Sequence, residues 1–130
     1  MLDDAYSPPK AFEHARRLVE SDEIAFMFSQ LGTAGNSAVA KYLAGKRMPT
    51  IAIVTGSSRF ANVKDYPLTT TGLVSCDTEG KIYAKYLTRA LPGAKYAILF
   101  QNDDLGRDYV NAFKVALGAE FDRRVVTASY

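Results

Sequence analysis

Residues 24–54 read IAFMFSQLGTAGNSAVAKYLAGKRMPTIAIV. They open on a short apolar run, Ile24-Ala25-Phe26-Met27-Phe28. A small, glycine-bearing stretch follows from Ser29 to Ser37, then a helical pattern over about Ala34 to Ala44. A second apolar run, Thr50-Ile51-Ala52-Ile53-Val54, closes the segment. Neither run alternates polar with apolar residues, which suits parallel strands covered on both faces. Strand, helix and strand in this order make a β-α-β unit, so the segment predicts an α/β fold.

The pattern continues outward. Tyr96-Ala97-Ile98-Leu99-Phe100 and Val125-Val126-Thr127-Ala128 are further apolar runs. Pro67 to Gly72 is β-branched and predicts a strand near a sheet edge, because a proline starts it. Ser7-Pro8 reads as an N-cap and a first-turn proline, followed by Ala11, Ala15, Leu18 and Val19 on one face. In the second helix Ala34, Ala38, Tyr42 and Leu43 are expected inward. A third helix is expected over Asp77 to Leu91, with Ile82, Tyr83, Tyr86, Leu87, Ala90 and Leu91 as its buried stripe. Pro92-Gly93 stops it. A fourth is expected over Leu105 to Leu117, with Leu105, Tyr109, Ala112, Phe113, Ala116 and Leu117 inward and Gly118 as its cap. The fold class is α/β, with a mostly parallel sheet and helices on both faces.

Composition narrows the function. The chain has 130 residues, 48% apolar and 23% charged, which is globular composition. Sixteen Lys plus Arg against 14 Asp plus Glu give +2, with the signs interspersed, so no basic stripe for nucleic acid stands out. One cysteine, Cys76, excludes an internal disulfide and a cysteine zinc site. One histidine, His14, excludes a histidine-rich metal centre. No run approaches the ~20 apolar residues that cross a bilayer. Leu2, Asp3 and Asp4 follow Met1, which does not read as a signal peptide. No Gly-x-Ser-x-Gly elbow exists, and His14 is far in sequence from Cys76 and Ser57, so nucleophilic catalysis finds little support.

Three loops lie where α/β sheets bind ligands, at the carboxyl ends of strands. Ser29 to Ser37 contains Gln30, Gly32 and Thr33 and leads into a helix N-terminus. That is an anion site or a plain strand-to-helix turn. It is not a Walker loop, but it has some likeness to the phosphate loop of flavodoxins. Thr55-Gly56-Ser57-Ser58 brings hydroxyls that can hold a carboxylate or an ammonium, or serve the local backbone. In Gln101-Asn102-Asp103-Asp104-Leu105-Gly106, the acids can meet a cation, bind metal or cap the fourth helix.

Several stretches together resemble the periplasmic substrate-binding proteins of ABC transporters, in the type I branch that binds leucine, isoleucine and valine. They are Asp3-Asp4-Ala5-Tyr6-Ser7-Pro8, Ala15-Arg16-Arg17-Leu18-Val19-Glu20 and Phe26 to Thr33. Thr55 to Ser58, Glu79 to Leu87 and Gln101 to Tyr109 extend the match in order along the whole chain.

The resemblance implies a two-lobed fold of flavodoxin-like or Rossmann-like layering that closes on its ligand as a clamp. Residues 1–73 would belong to the first lobe, and 74–130 would begin the second after a hinge crossing. The ligand would be an amino acid or similar small carboxylate, the partner an ABC permease and the compartment the periplasm, with no cofactor. By the same match Thr33 would use its hydroxyl and N–H against the ligand carboxylate. Ser57 would offer its carbonyl to the ammonium, and Ser58 or Arg59 a further contact. Leu105 stands where many members place an aromatic residue. Gln30 and Asp103 complete the expected ligand-binding set, which holds no metal ligand and no catalytic residue. Compared with the family, an opening β-α-β unit and much of the second lobe are missing, so a fragment is expected. The rival readings are a flavodoxin-like FMN-binding protein, with Gly32 to Ser37 as its phosphate loop, and a remnant that binds nothing. Strands apolar on both faces but short of cover predict a homo-oligomer.

Overall fold

The structure, a computed structural model, describes residues 2–130. The chain divides between Leu73 and Val74 into two units, each with its own sheet.

The first unit begins with α1 (Pro8–Glu20), which has Pro8 in its first turn. Ala11 and Ala15 are buried, with Leu18 and Val19 half-buried, on the face expected. Then come β1 (Met27–Phe28), α2 (Thr33–Gly45), β2 (Thr50–Ile53), a 3-10 turn at Ser58–Ala61 and β3 (Thr69–Thr71). The strands form a parallel sheet in the order β1-β2-β3, with Met27 opposite Thr50 and Phe28 opposite Ile51. The run from Ile24 enters the ladder only at Met27. Glu23 has a positive φ, and the Ile24 N–H still donates to the Leu18 carbonyl of α1. Between β2 and β3 the register shifts. Ala52 turns left-handed, and its N–H donates to Thr70 Oγ1 at 2.8 Å instead of to a backbone carbonyl.

The α1–α2 contact is built on small residues. Ala11, Ala15, Val39 and Leu43 form its core, with Val19, Met27, Tyr42 and Met48 packed around them. This bears out Leu43 and Tyr42 on the expected face of α2 and corrects its first turns. Gly35, Asn36, Val39 and Leu43 are buried, whereas Ala34 and Ala38 are half-buried. The phase is set at the first turn, where the Asn36 amide donates to the carbonyls of Gly32 (2.7 Å) and Gln30 (3.0 Å).

The second unit contains α3 (Cys76–Ala90), β4 (Tyr96–Phe100), α4 (Asp104–Leu117), a 3-10 turn at Gly118–Glu120, a short α5 (Phe121–Arg124) and β5 (Val125–Ser129). β4 and β5 pair in parallel from Tyr96–Val125 to Phe100–Ser129. Ala84, Val110, Phe113, Phe121 and Val125 are its core. Of the expected stripe of α3 only Leu87 packs against this core; Ile82, Tyr83 and Leu91 are exposed, and Tyr86 is 66% exposed. Cys76, Gly80 and Ala84 are buried instead, because α3 lies close against α4. A Cβ on Gly80 would stand 2.7 Å from that of Ala112. In α4, Ala112 and Phe113 are buried as expected, Val110 joins them, and Ala116 is exposed. Gly118 ends α4 with a positive φ. Arg124 is buried and donates to the Ala94 and Leu91 carbonyls and to the Tyr96 hydroxyl, closing the turn after α3.

The expected cover on both sheet faces is found on one face only among the described residues. Helices cover Met27 in one unit and Tyr96, Ile98 and Phe100 in the other. On the opposite faces Phe28 (68%), Leu31 (67%) and Leu99 (72%) stand in solvent, with Ile51 and Val126.

Candidate functional site

The first two strands deliver their loops to one place. Past β1, the Ser29 N–H donates to the Ile51 carbonyl, and Gln30 accepts from the Val54 N–H. Leu31 bridges Val54, and the Gly32 N–H donates to the Val54 carbonyl at 3.1 Å. Gly32 then turns the chain into α2 at φ +100°, a conformation that favours glycine. As N-cap it carries no side-chain oxygen, so no side chain caps the first N–H groups of α2. They face their surroundings with the positive end of the helix dipole.

Thr33 and Ser57 meet through Thr55, a hydroxyl of the same loop that stands outside the expected ligand-binding set. The Thr33 hydroxyl lies 2.7 Å from that of Thr55, and Thr55 Oγ1 accepts from the Ser57 N–H at 3.1 Å. All three residues are about 2% exposed. The signal for Thr55 was its place two residues before Ser57, directly after the apolar run of β2. Ser57 Oγ is fully buried and has no hydrogen-bond partner among the described residues. A buried hydroxyl in that state is uncommon and calls for a partner. Ser58, half-buried, opens the following 3-10 turn. The Arg59 guanidinium lies over the Phe60 and Tyr66 rings and donates to the Tyr66 hydroxyl at 2.8 Å.

Other expected residues lie elsewhere. The Gln30 amide turns toward Gly35, on the α1 side of α2. There a Cβ on Gly35 would stand 3.7 Å from Gln30 Nε2, 3.6 Å from Asp4 Oδ2 and 3.5 Å from Ala11 Cβ. The Asp4 carboxylate thus occupies that side of the first turn and opposes a phosphate there, which weighs against the flavodoxin-like loop. Asp103 and Leu105 belong to the second unit. Asp103 caps α4: Oδ1 accepts from the Gly106 N–H at 3.0 Å, and Oδ2 accepts from Gln101 Nε2 at 3.2 Å. Leu105 is half-buried in the first turn of α4.

The second unit also holds a titratable cluster. Glu79 accepts from the hydroxyls of Tyr83 (2.5 Å) and Tyr109. These bonds hold its carboxyl below the usual range, while burial and the Glu79 acceptor push the Tyr109 phenol well up. Burial likewise raises the Cys76 thiol, which leaves it a poor nucleophile. Among the described residues no cluster of His, Cys, Asp and Glu could hold a metal ion, and no helix is long and apolar enough to cross a membrane.

A family model described as periplasmic binding protein matches residues 1–128. No curated protein matches the chain in sequence. Among solved structures it is similar to a substrate-binding periplasmic protein from Ralstonia solanacearum, with 23% identity and a TM-score of 0.84 over 98% of this chain and 36% of that one. A possible leucine/isoleucine/valine-binding protein from Rhodopirellula baltica has 21% identity and a TM-score of 0.83, over 99% of this chain and 35% of that one. An ABC transporter solute-binding protein from R. palustris, in complex with benzoate, has 20% identity and a TM-score of 0.81, over 99% of this chain and 36% of that one. The chain therefore spans about a third of the length of these proteins.

Proposed function

This chain belongs to the periplasmic binding protein family, and from that premise we propose that it forms part of an extracytoplasmic solute-binding component of an ABC importer for small carboxylates. The carboxylate is received where α2 begins, by the uncapped N–H groups and the hydroxyls of Thr33 and Ser57. The observation that carries this reading is the Ser57 hydroxyl, buried and unpartnered, on a residue whose N–H is tied through Thr55 Oγ1 to Thr33 at an uncapped helix N-terminus. Hydroxyls and free N–H groups at the positive end of a helix suit an anion.

The ligand class is kept at the carboxylate. One similar structure is described as possibly binding leucine, isoleucine or valine, and another holds benzoate. The carboxylate is the group these ligands share. Ser58 or Arg59 adds a contact beside Ser57, and Leu105 and Asp103 belong to the second unit's share of the ligand contacts. In this reading residues 1–73 are part of the first lobe and 74–130 part of the second, and capture proceeds by closure of the lobes. The work is binding, with no chemical step and no cofactor. The partner is a permease, and the compartment is the periplasm.

Amide chemical shifts test the reading. Titration of the chain with benzoate and with L-leucine is expected to move the Thr33, Ala34 and Ser57 amides, and Thr33→Val to abolish the response. Shifts confined to other residues would overturn it.

A further inference from the structure

We propose that Tyr6 is a positioning residue of this carboxylate site, its ring standing in for the side chain that Gly32 lacks. The proposal rests on the reading of the site given above. Gly32 needs its positive φ to turn β1 into α2, and a glycine there is free to turn in other ways. Its N–H is fixed by the Val54 carbonyl, and its carbonyl by the Asn36 N–H and side-chain amide. The side where a Cβ would project is fixed by Tyr6. A Cβ built there would stand 2.7 Å from Tyr6 Cε2, 3.4 Å from Cζ and 3.5 Å from Cδ2. The next residue is Thr33, whose hydroxyl and N–H the site uses.

The chain reaches this contact by an uncommon route. Ala5 and Tyr6 are both left-handed, at φ 49° and 59°. Two consecutive non-glycine residues in that region are disfavoured and persist only where the surroundings hold them. Here two carboxylates do so: Asp3 Oδ1 accepts from the Ala5 N–H, and Asp4 Oδ1 from the Tyr6 N–H, each at 2.8 Å. The result is a tyrosine that stays 50% exposed. Its Cε2 edge lies against Gly32, and Tyr6 belongs to neither buried core cluster. The contact is made by ring carbons, so a phenylalanine serves equally well.

The test compares the whole chain with its Tyr6→Ala, Tyr6→Phe and Thr33→Val variants. Sodium acetate and sodium benzoate are the probes, and the amides of Thr33 to Gly35 and the thermal midpoint are the readouts. Tyr6→Ala is expected to weaken both probes equally, by about tenfold, at an unchanged midpoint, and Tyr6→Phe to restore wild-type affinity. A loss for benzoate alone would mean that the ring touches the ligand, which overturns the positioning role. Overturned too would be the proposal if Tyr6→Ala binds as wild type while Thr33→Val does not bind, or if its loss of affinity comes with a matching fall in midpoint. If neither probe moves these amides in the wild type, the carboxylate site itself fails and Tyr6 has nothing to position.

Discussion

The Oγ1 atoms of Thr33 and Thr55 lie 2.7 Å apart, one at the head of α2 and the other just past β2. Thr55 also accepts from the Ser57 N–H, so a single hydroxyl joins both loops. Thr55→Val keeps the shape and removes both bonds. It is expected to cost about 1–3 kcal/mol, because the Thr33 hydroxyl and the Ser57 N–H are then buried without that partner. Thr55→Ser should cost much less. Urea unfolding of the two variants checks this, and equal stability would mean that the bonds are replaced by others.

Glycines give a contrast of sign. Gly45, near the end of α2, has nothing within 4 Å of a built Cβ. Gly45→Ala is expected to stabilise by about 0.5–1 kcal/mol, since alanine is the better helix former. Gly106 is also helical, but a Cβ there would collide with the Gln101 carbonyl oxygen and stand 2.9 Å from the Phe100 ring. Gly106→Ala is expected to destabilise by about 1–3 kcal/mol or more, as an overpacked site does. Denaturation midpoints of the two variants should move in opposite directions.

Much of this architecture is legible in the sequence, and the failures arise where a contact made elsewhere in the chain decides. The β4 run Tyr96–Phe100 and the inward faces of α1 and most of α4 follow from spacing alone. The buried face of α3 does not. Periodicity weights large apolar residues, so Ile82, Tyr83 and Tyr86 claimed the inward side. The close contact with α4 needs the smallest residues, Gly80 and Ala84, and that need is set by Ala112 and Tyr109 on another helix. The site divides in the same way. The hydroxyls of Thr33 and Ser57 are visible at strand ends, but the seat of Tyr6 on Gly32 depends on two left-handed residues that no pattern announces.

The Glu79 cluster sets a pH window for the second unit. Glu79 is held below its ordinary pKa by the hydrogen bonds from Tyr109 and Tyr83. That contribution is complete above the unfolded carboxylate value, near pH ~4.3, and is lost as pH falls through the folded value. Tyr109 is shifted the other way, first by burial and then by the Glu79 acceptor. Its contribution is complete below about pH 10 and is lost as pH rises through the folded value. Glu79→Gln should therefore flatten the acid limb of a plot of unfolding midpoint against pH. An acid limb of unchanged depth would assign the loss to other carboxylates.

The uncovered sheet faces lead to a prediction about association in solution. Phe28, Leu31 and Ile51 share the open face of the first sheet, and Leu99 and Val126 that of the second. Apolar side chains on a strand face are stabilising only when another layer removes them from water, at about 25 cal/mol per Å². The residues around them give no cover, and β4-β5 is a two-stranded sheet whose outer edges are unpaired among the described residues. Open edges and apolar faces promote association. The chain by itself is therefore expected to run as a dimer or larger in size exclusion coupled to light scattering. Leu31→Lys combined with Leu99→Lys places a charge on each face, where burial against another copy would strip it of water. The double variant should shift the chain toward the monomer while far-ultraviolet circular dichroism keeps its helical content. A wild-type chain that is already monomeric at micromolar concentration, with cooperative unfolding, would show that these faces are tolerated in water and that association plays no part in its stability.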